Sequence, residues 1–118
     1  MFLKGQTIEP LEFRGLQVQD YTSSIECGAS LAIVTVPPQG GHPAAYSERS
    51  EKLYFVARGA ISFAIGDDIA TLNAGDACLV RRGEVFSYQN HTHETACLVL
   101  HHTPAFDYRY EKLIDSAD

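Results

Sequence analysis

Apolar residues in this chain come in short bursts separated by turn-forming residues. Leu31 to Val36, Leu53 to Ala57, Ile61 to Ile65, Ile69 to Leu72, Ala77 to Val80, Val85 to Gln89 and Ala96 to His101 are each of strand length and rich in Val, Ile, Leu, Phe and Tyr. Between them stand Pro37-Pro38-Gln39-Gly40-Gly41, Gly59, Gly66-Asp67-Asp68, Asn73-Ala74-Gly75-Asp76, Arg82-Gly83, Asn90-His91-Thr92 and Thr103-Pro104. No burst is long enough for a typical helix. Short strands at regular spacing predict one antiparallel sandwich or barrel without an internal linker. The segment Phe106 to Leu113 suits a last strand or a short helix, and the charged end Asp115 to Asp118 is expected to fray.

Composition narrows the function classes. Of 118 residues, 45% are hydrophobic and 20% charged, an ordinary balance for one globular core. Nine Lys+Arg against fifteen Asp+Glu give a formal charge of -6, which removes the attraction that drives non-specific nucleic-acid binding. No nucleic-acid partner is expected. The apolar bursts fall far short of the roughly 20 residues that span a bilayer, so no membrane partner is expected either. Met1 to Pro10 carries Lys4, Gln6, Thr7 and Glu9 and no apolar run of the signal-peptide kind, which predicts a cytoplasmic protein. Cys27, Cys78 and Cys97 are odd in number and lack metal-site spacing, so neither structural disulfides nor a zinc cluster is expected.

The order of the turns adds more. Gly59 fits the last glycine of the pattern G-x5-H-x-H-x(3,4)-E-x6-G, and Gly75, Gly83 and Asn90 keep the spacing of G-x5-P-x-G-x2-H-x3-N. Pro37-Pro38, Leu53-Tyr54-Phe55-Val56, Ala74-Gly75-Asp76 and His102-Thr103-Pro104-Ala105-Phe106 complete the pattern. Over about residues 30 to 106 the chain thus resembles the cupin superfamily. The resemblance implies an all-β fold, a single jelly-roll barrel (double-stranded β-helix) occupying residues 1–118. Its barrel core would be 30–106, preceded by an N-terminal strand segment, 1–29, and followed by a short tail, 107–118. It also implies a homodimer, with a segment such as Thr7 to Val18 pairing across the interface.

The departures from the family pattern carry the functional expectation. At the positions where cupins hold their two histidines, glutamate and second-motif histidine stand Ala45, Ser47, Lys52 and Phe86. Alanine and phenylalanine cannot coordinate a metal, and a protonated lysine is a cation. No metal and no other cofactor is therefore expected. Arg81 replaces the motif proline. Strand alternation groups Ala45 with Ser47, Lys52 with Tyr54 and Val56, and Phe86 with Tyr88 and Asn90. If the motif positions face inward, these line an apolar and aromatic pocket with two phenols, a hydroxyl and an ammonium, suited to a small organic ligand.

Lys52 is the sharpest candidate, because burial lowers an amine's pKa and prepares it as a base or nucleophile. The alternatives are a reach to the barrel mouth or an ion pair with Glu48 or Glu51. With Arg81 at the rim it would instead bind an anionic group of the ligand. Glu51 is of the wrong parity to share the pocket with Lys52. Of His101 and His102 one must face inward. His42, just before Pro43, reads as a surface-loop imidazole, and His91 and His93 as solvated turn residues.

Three functions remain open. The first is a metal-independent isomerase, epimerase, cyclase or lyase using Lys52, Tyr54, Tyr88 and His102 as general acids and bases, with Ala45, Ser47, Phe86, Arg81 and His101 contacting the ligand. Metal-independent cupins include nucleotide-sugar epimerases and ketoisomerases, whose histidine-bearing motif strand this chain lacks. The second is a ligand-binding or sensor module. The third is a metalloenzyme with a site relocated to His42, His101 or His102.

Overall fold

The computed structural model describes residues 1–114, so the expected fraying of Asp115 to Asp118 lies outside the described residues. Eleven strands follow in order: β1 Leu11–Phe13, β2 Leu16–Asp20, β3 Ser30–Val36, β4 Gly41–Ser47, β5 Glu51–Arg58, β6 Ala60–Ile65, β7 Asp68–Asn73, β8 Ala77–Val80, β9 Phe86–Gln89, β10 Ala96–Thr103 and β11 Glu111–Leu113. All seven apolar bursts are strands. The only helical elements among the described residues are single 3-10 turns at Gly5–Thr7 and Tyr108–Tyr110. Among the described residues no helix is long and apolar enough to cross a membrane.

The strands form two antiparallel sheets, ordered β1-β2-β3-β10-β5-β8 and β11-β4-β9-β6-β7. This is a jelly-roll barrel, with strands from distant parts of the sequence alternating between its two walls. Period-two patterning sets which side chains enter. On β5, Lys52, Tyr54 and Val56 are buried while Glu51, Leu53 and Phe55 are exposed. On β10, Ala96, Leu98, Leu100 and His102 are buried. Tyr54, Val56, Ala96, Leu98 and Leu100 form one apolar core between the sheets with Val34, Val36, Ile61, Phe63, Val80, Phe86 and Tyr88. Each large side chain so enclosed stabilises the fold by about 1.5–3 kcal/mol.

Two motif residues have structural explanations. Gly59 turns β5 into β6 at φ +82°, and a Cβ there would stand 2.9 Å from the Ala96 Cα, so both conformation and space require glycine. Asn90 is completely buried, and its amide donates to the carbonyls of Val36 (3.1 Å) and Glu94 (2.8 Å). Its oxygen accepts from the Thr92 amide at 2.9 Å and hydroxyl at 2.7 Å, closing the turn between β9 and β10.

The structure departs from expectation at His42. His42 is not in a surface loop but near the start of β4, where it is half-buried. The ladder with β9 shifts register between His42 and Ala45, around Pro43, which lacks the N–H a regular strand would donate. Within the single chain, Thr7 to Val18 contributes β1 and the start of β2, a hairpin that extends the chain's own sheet through β3. The segment Phe106 to Leu113 is both a 3-10 turn and a strand, and β11 pairs with β4 through Glu111↔Ser47 and Leu113↔Ala45.

Candidate functional site

Lys52 and His102 face each other across β5 and β10 as directly paired residues, so both enter the barrel on one side. Lys52 Nζ donates to His102 Nε2 at 2.9 Å and to Glu111 Oε1 at 2.5 Å. Glu111 arrives from the opposite sheet, and its ion pair with Lys52 ties the two walls together at this end of the barrel. The ammonium also lies 5.4 Å from the centre of the Phe86 ring and 6.0 Å from that of Phe106, within cation–π range. The expected partners of Lys52 were Glu48 or Glu51. Instead Glu48 lies 3.9 Å from Lys112 and Glu51 3.8 Å from Arg81, both on the outside. Glu51 has the opposite parity to Lys52 on β5, and Glu48 lies in the turn between β4 and β5.

Burial lowers the Lys52 pKa, and the Glu111 carboxylate opposes that shift. For His102, burial first and then the Lys52 ammonium push the pKa down to about 3. His102 is thus a neutral imidazole that accepts the lysine proton on Nε2, which places its own proton on Nδ1. One carboxylate oxygen, Glu111 Oε2, is enclosed and has no hydrogen-bond partner among the described residues.

Beside this cluster the aromatic residues gather. Tyr54, Phe63, Phe86 and Tyr88 contact one another with ring centres 5.0 to 6.2 Å apart, so rings occupy much of the space between the sheets. Burial, followed by Tyr88, Cys78 and Glu111, raises the Tyr54 pKa well above the ordinary phenol value. Burial does the same for Tyr88. Both are therefore neutral hydrogen-bond donors. Neither hydroxyl has a hydrogen-bond partner among the described residues, and the two residues are 2% and 4% exposed.

His42 completes this group. Its ring lies 4.9 Å from Phe86, 5.3 Å from Phe13 and 5.6 Å from Tyr88. Its Nδ1 is 2.7 Å from the Pro43 carbonyl, an acceptor only, so Nδ1 carries the proton and Nε2 keeps a free lone pair. Burial is the main cause of its lowered pKa, with Lys52 and Arg14 adding to the fall and the Pro43 bond and Glu111 opposing it.

The remaining candidates are distributed unequally. Ala45 and Ser47 are buried on β4, but the Ser47 hydroxyl accepts from the amides of Arg49 (3.2 Å) and Ser50 (2.9 Å) and so holds the turn into β5. His101 is half-exposed on the opposite face from His102 and lies outside the cluster. Arg81 is exposed and lines a separate surface hollow of about 340 Å³ with Arg49, Glu51 and Arg82. A second hollow of about 250 Å³, between the edges formed by β7 and β8, contains Phe63, Leu72 and Cys78. His91 and His93 are exposed. Cys27, Cys78 and Cys97 are unpaired thiols. Glu111 and His42 were not singled out as acid–base groups in the sequence.

The family's usual metal does not fit these residues. The four corresponding positions offer a methyl group, a hydroxyl already committed to backbone amides, an ammonium and a phenyl ring. The carboxylate nearest to them already neutralises Lys52. Among the described residues no three His, Cys, Asp or Glu side chains come together to hold a metal.

In comparisons with known proteins, no curated sequence matches the chain. Solved structures match closely in shape. The nucleoside dehydratase Pac13 of Streptomyces superposes with a TM-score of 0.83 at 19% identity, over 97% of this chain and 90% of that one. KdgF from Halomonas sp. gives 0.82 at 14% identity, over 92% and 97%. An RmlC-like cupin from Shewanella frigidimarina gives 0.79 at 16% identity, over 92% and 94%. The family model described as the cupin domain matches residues 32–102, more than half of the sequence. With its jelly-roll topology and the glycine and asparagine turns already described, the chain belongs to the cupin family.

Proposed function

We propose that this protein is a metal-independent lyase that eliminates water from a small hydroxylated molecule. The observation that carries the reading is the setting of His42. A neutral imidazole, its Nδ1 proton fixed on the Pro43 carbonyl, stands beside the phenol of Tyr88, which in turn contacts Tyr54, and neither hydroxyl has a partner among the described residues. His42 Nε2 removes a proton from carbon, and the C–H electron pair becomes the new C=C bond. As the C–O bond breaks, a phenol of Tyr54 or Tyr88 protonates the departing hydroxyl, which leaves as water. The proton on His42 returns to the phenolate, restoring both groups. A neutral base and neutral acids held in place are what this chemistry requires at pH 7. Lys52, Glu111 and His102 position the substrate.

The fold comparison supports the same class. Pac13 is a nucleoside dehydratase, and its uridine-bound variants carry a histidine-to-glutamine change or a tyrosine-to-phenylalanine change at one of two tyrosines. One histidine and two tyrosines are the residue types grouped here. The test is turnover of a panel of hydroxylated molecules, including nucleosides and uronates, in the presence of a chelator, with mass spectrometry recording loss of one water. His42→Asn is expected to lower the rate by about 10²–10⁴-fold. Activity that needs an added metal ion, or that survives in the variant within a few-fold, overturns the proposal.

The same reading takes the protein as a homodimer. Leu31, Leu53, Phe55 and Leu79 on the outer face of the six-stranded sheet are 37% to 46% exposed, an apolar surface suited to a second copy. Sedimentation as a monomer at micromolar concentration would refute this.

A further inference from the structure

Glu111 Oε2 is the one enclosed side-chain oxygen or nitrogen among the described residues with no hydrogen-bond partner. Leaving a polar atom of a charged group unsatisfied inside a protein is costly, so such an atom marks a place where something else binds. The carboxylate is well anchored. Its strand is paired to β4, and the chain on either side is held by the Glu48 amide donating to the Tyr110 carbonyl (2.8 Å) and the Ile114 amide donating to the Ala44 carbonyl (2.9 Å). Its other oxygen is committed to Lys52.

Lys52 is the complementary half. An ammonium has three N–H bonds, and two are used, on Glu111 Oε1 and His102 Nε2. The third has no acceptor among the described residues. Lys52 and Glu111 cancel in charge, and His102 is neutral. The sequence pointed to an anionic ligand held by Lys52, but an anion here would meet a neutralised ammonium and a bare carboxylate oxygen.

We infer that Glu111 and Lys52 form a subsite for a vicinal diol, so that the ligand is a neutral, ribose-like molecule. One hydroxyl donates to Glu111 Oε2, and its neighbour accepts the third N–H of Lys52. The Lys52 ammonium lies 5.4 Å from the centre of the Phe86 ring, which itself lies 4.9 Å from the His42 ring and 5.9 Å from that of Tyr54, so the subsite adjoins the groups assigned to the reaction. This assignment rests on the proposal that the His42 and Tyr54 side of the barrel is where the substrate binds.

The test is calorimetric titration of the full-length protein with uridine, 2′,3′-dideoxyuridine and methyl β-D-ribofuranoside. Uridine is expected to bind at least tenfold more tightly than its dideoxy analogue. Glu111→Gln keeps an oxygen for Lys52 but loses the carboxylate charge. It should weaken uridine binding about tenfold and leave dideoxyuridine unchanged, a loss of about 1.4 kcal/mol. An ¹⁵N–¹H spectrum checks that the variant is folded, and the comparison of ligands on the unaltered protein does not depend on it. Equal affinity for uridine and dideoxyuridine overturns the inference. So does equal weakening of both by Glu111→Gln, or no binding of either uridine or the methyl riboside at millimolar concentration. Elimination from substrates lacking a diol would overturn the diol subsite and leave the lyase assignment intact. Diol-dependent binding without turnover would do the reverse.

Discussion

Replacing Lys52 with methionine isolates the energetics of the buried cluster. The substitution keeps a long apolar stem against Phe86 and removes only the ammonium. Glu111 Oε1 and His102 Nε2 then lose their donor together. Breaking a buried ion pair from one side costs about 3–5 kcal/mol, because the remaining charge stays in place without compensation. The Glu111 side chain is 20% exposed and recovers part of that from water, and the desolvation cost of the ammonium disappears. The net loss expected for Lys52→Met is therefore about 2–3 kcal/mol. For a chain of this length that lowers Tm by roughly 8–15 °C. Removing both charges in Lys52→Met/Glu111→Leu should cost only about 0–1 kcal/mol, since an apolar pair can replace an ionic one. Urea unfolding of wild type, both single variants and the double variant gives the coupling directly, with the slope m unchanged across the four. Additive losses with Lys52→Met below about 0.5 kcal/mol would refute the reasoning and place the ammonium in water.

Three further outcomes follow from the same contacts. Asn90→Ala removes four hydrogen bonds from a fully buried turn and should cost about 3–4 kcal/mol in urea unfolding; a loss under about 1 kcal/mol would deny Asn90 that role. Tyr88→Phe deletes a hydroxyl that bonds nothing among the described residues, so stability should hold within about 0.5 kcal/mol while turnover of the panel falls at least about tenfold; a large drop in Tm instead would mean the hydroxyl is structural. Stability should fall as pH drops from 6.5 toward 3, because the unfolded chain protonates its histidine at about 6.5 while folded His102 waits until about 3. His42, also lowered, acts in the same direction, and each contributes at most about 1.4 kcal/mol per pH unit. Urea midpoints at pH 7 and 5 measure the slope, and His102→Gln should flatten it; an unchanged slope would show that His102 does not resist protonation.

Much of the barrel was written in local pattern. The alternation of Lys52, Tyr54 and Val56 with Leu53 and Phe55 is a property of adjacent residues on an extended chain. It therefore named both the strand and its inward face. Its parity separated Lys52 from Glu51, as the structure does. The replacements at the four family positions likewise followed from residue identity, because Ala45 and Phe86 have no lone pair to offer a metal wherever they lie. His42 was misplaced because Pro43 looks like a loop residue, and a bulge that keeps both in a strand depends on the partner strand β9.

Glu111 was out of reach for a stronger reason. It sits in a three-residue strand with no useful alternation, 59 positions from Lys52, and nothing local to either residue encodes their meeting. Sequence by itself determined the seven strands of the apolar bursts, their inward faces, the turn glycines and the loss of the usual ligands, all of which are set by nearest neighbours and side-chain chemistry. The tertiary structure alone decided that β11 lies on β4, facing the paired strands β5 and β10. Its packing joins lysine, carboxylate and imidazole in one cluster and leaves an enclosed carboxylate oxygen without a partner among the described residues.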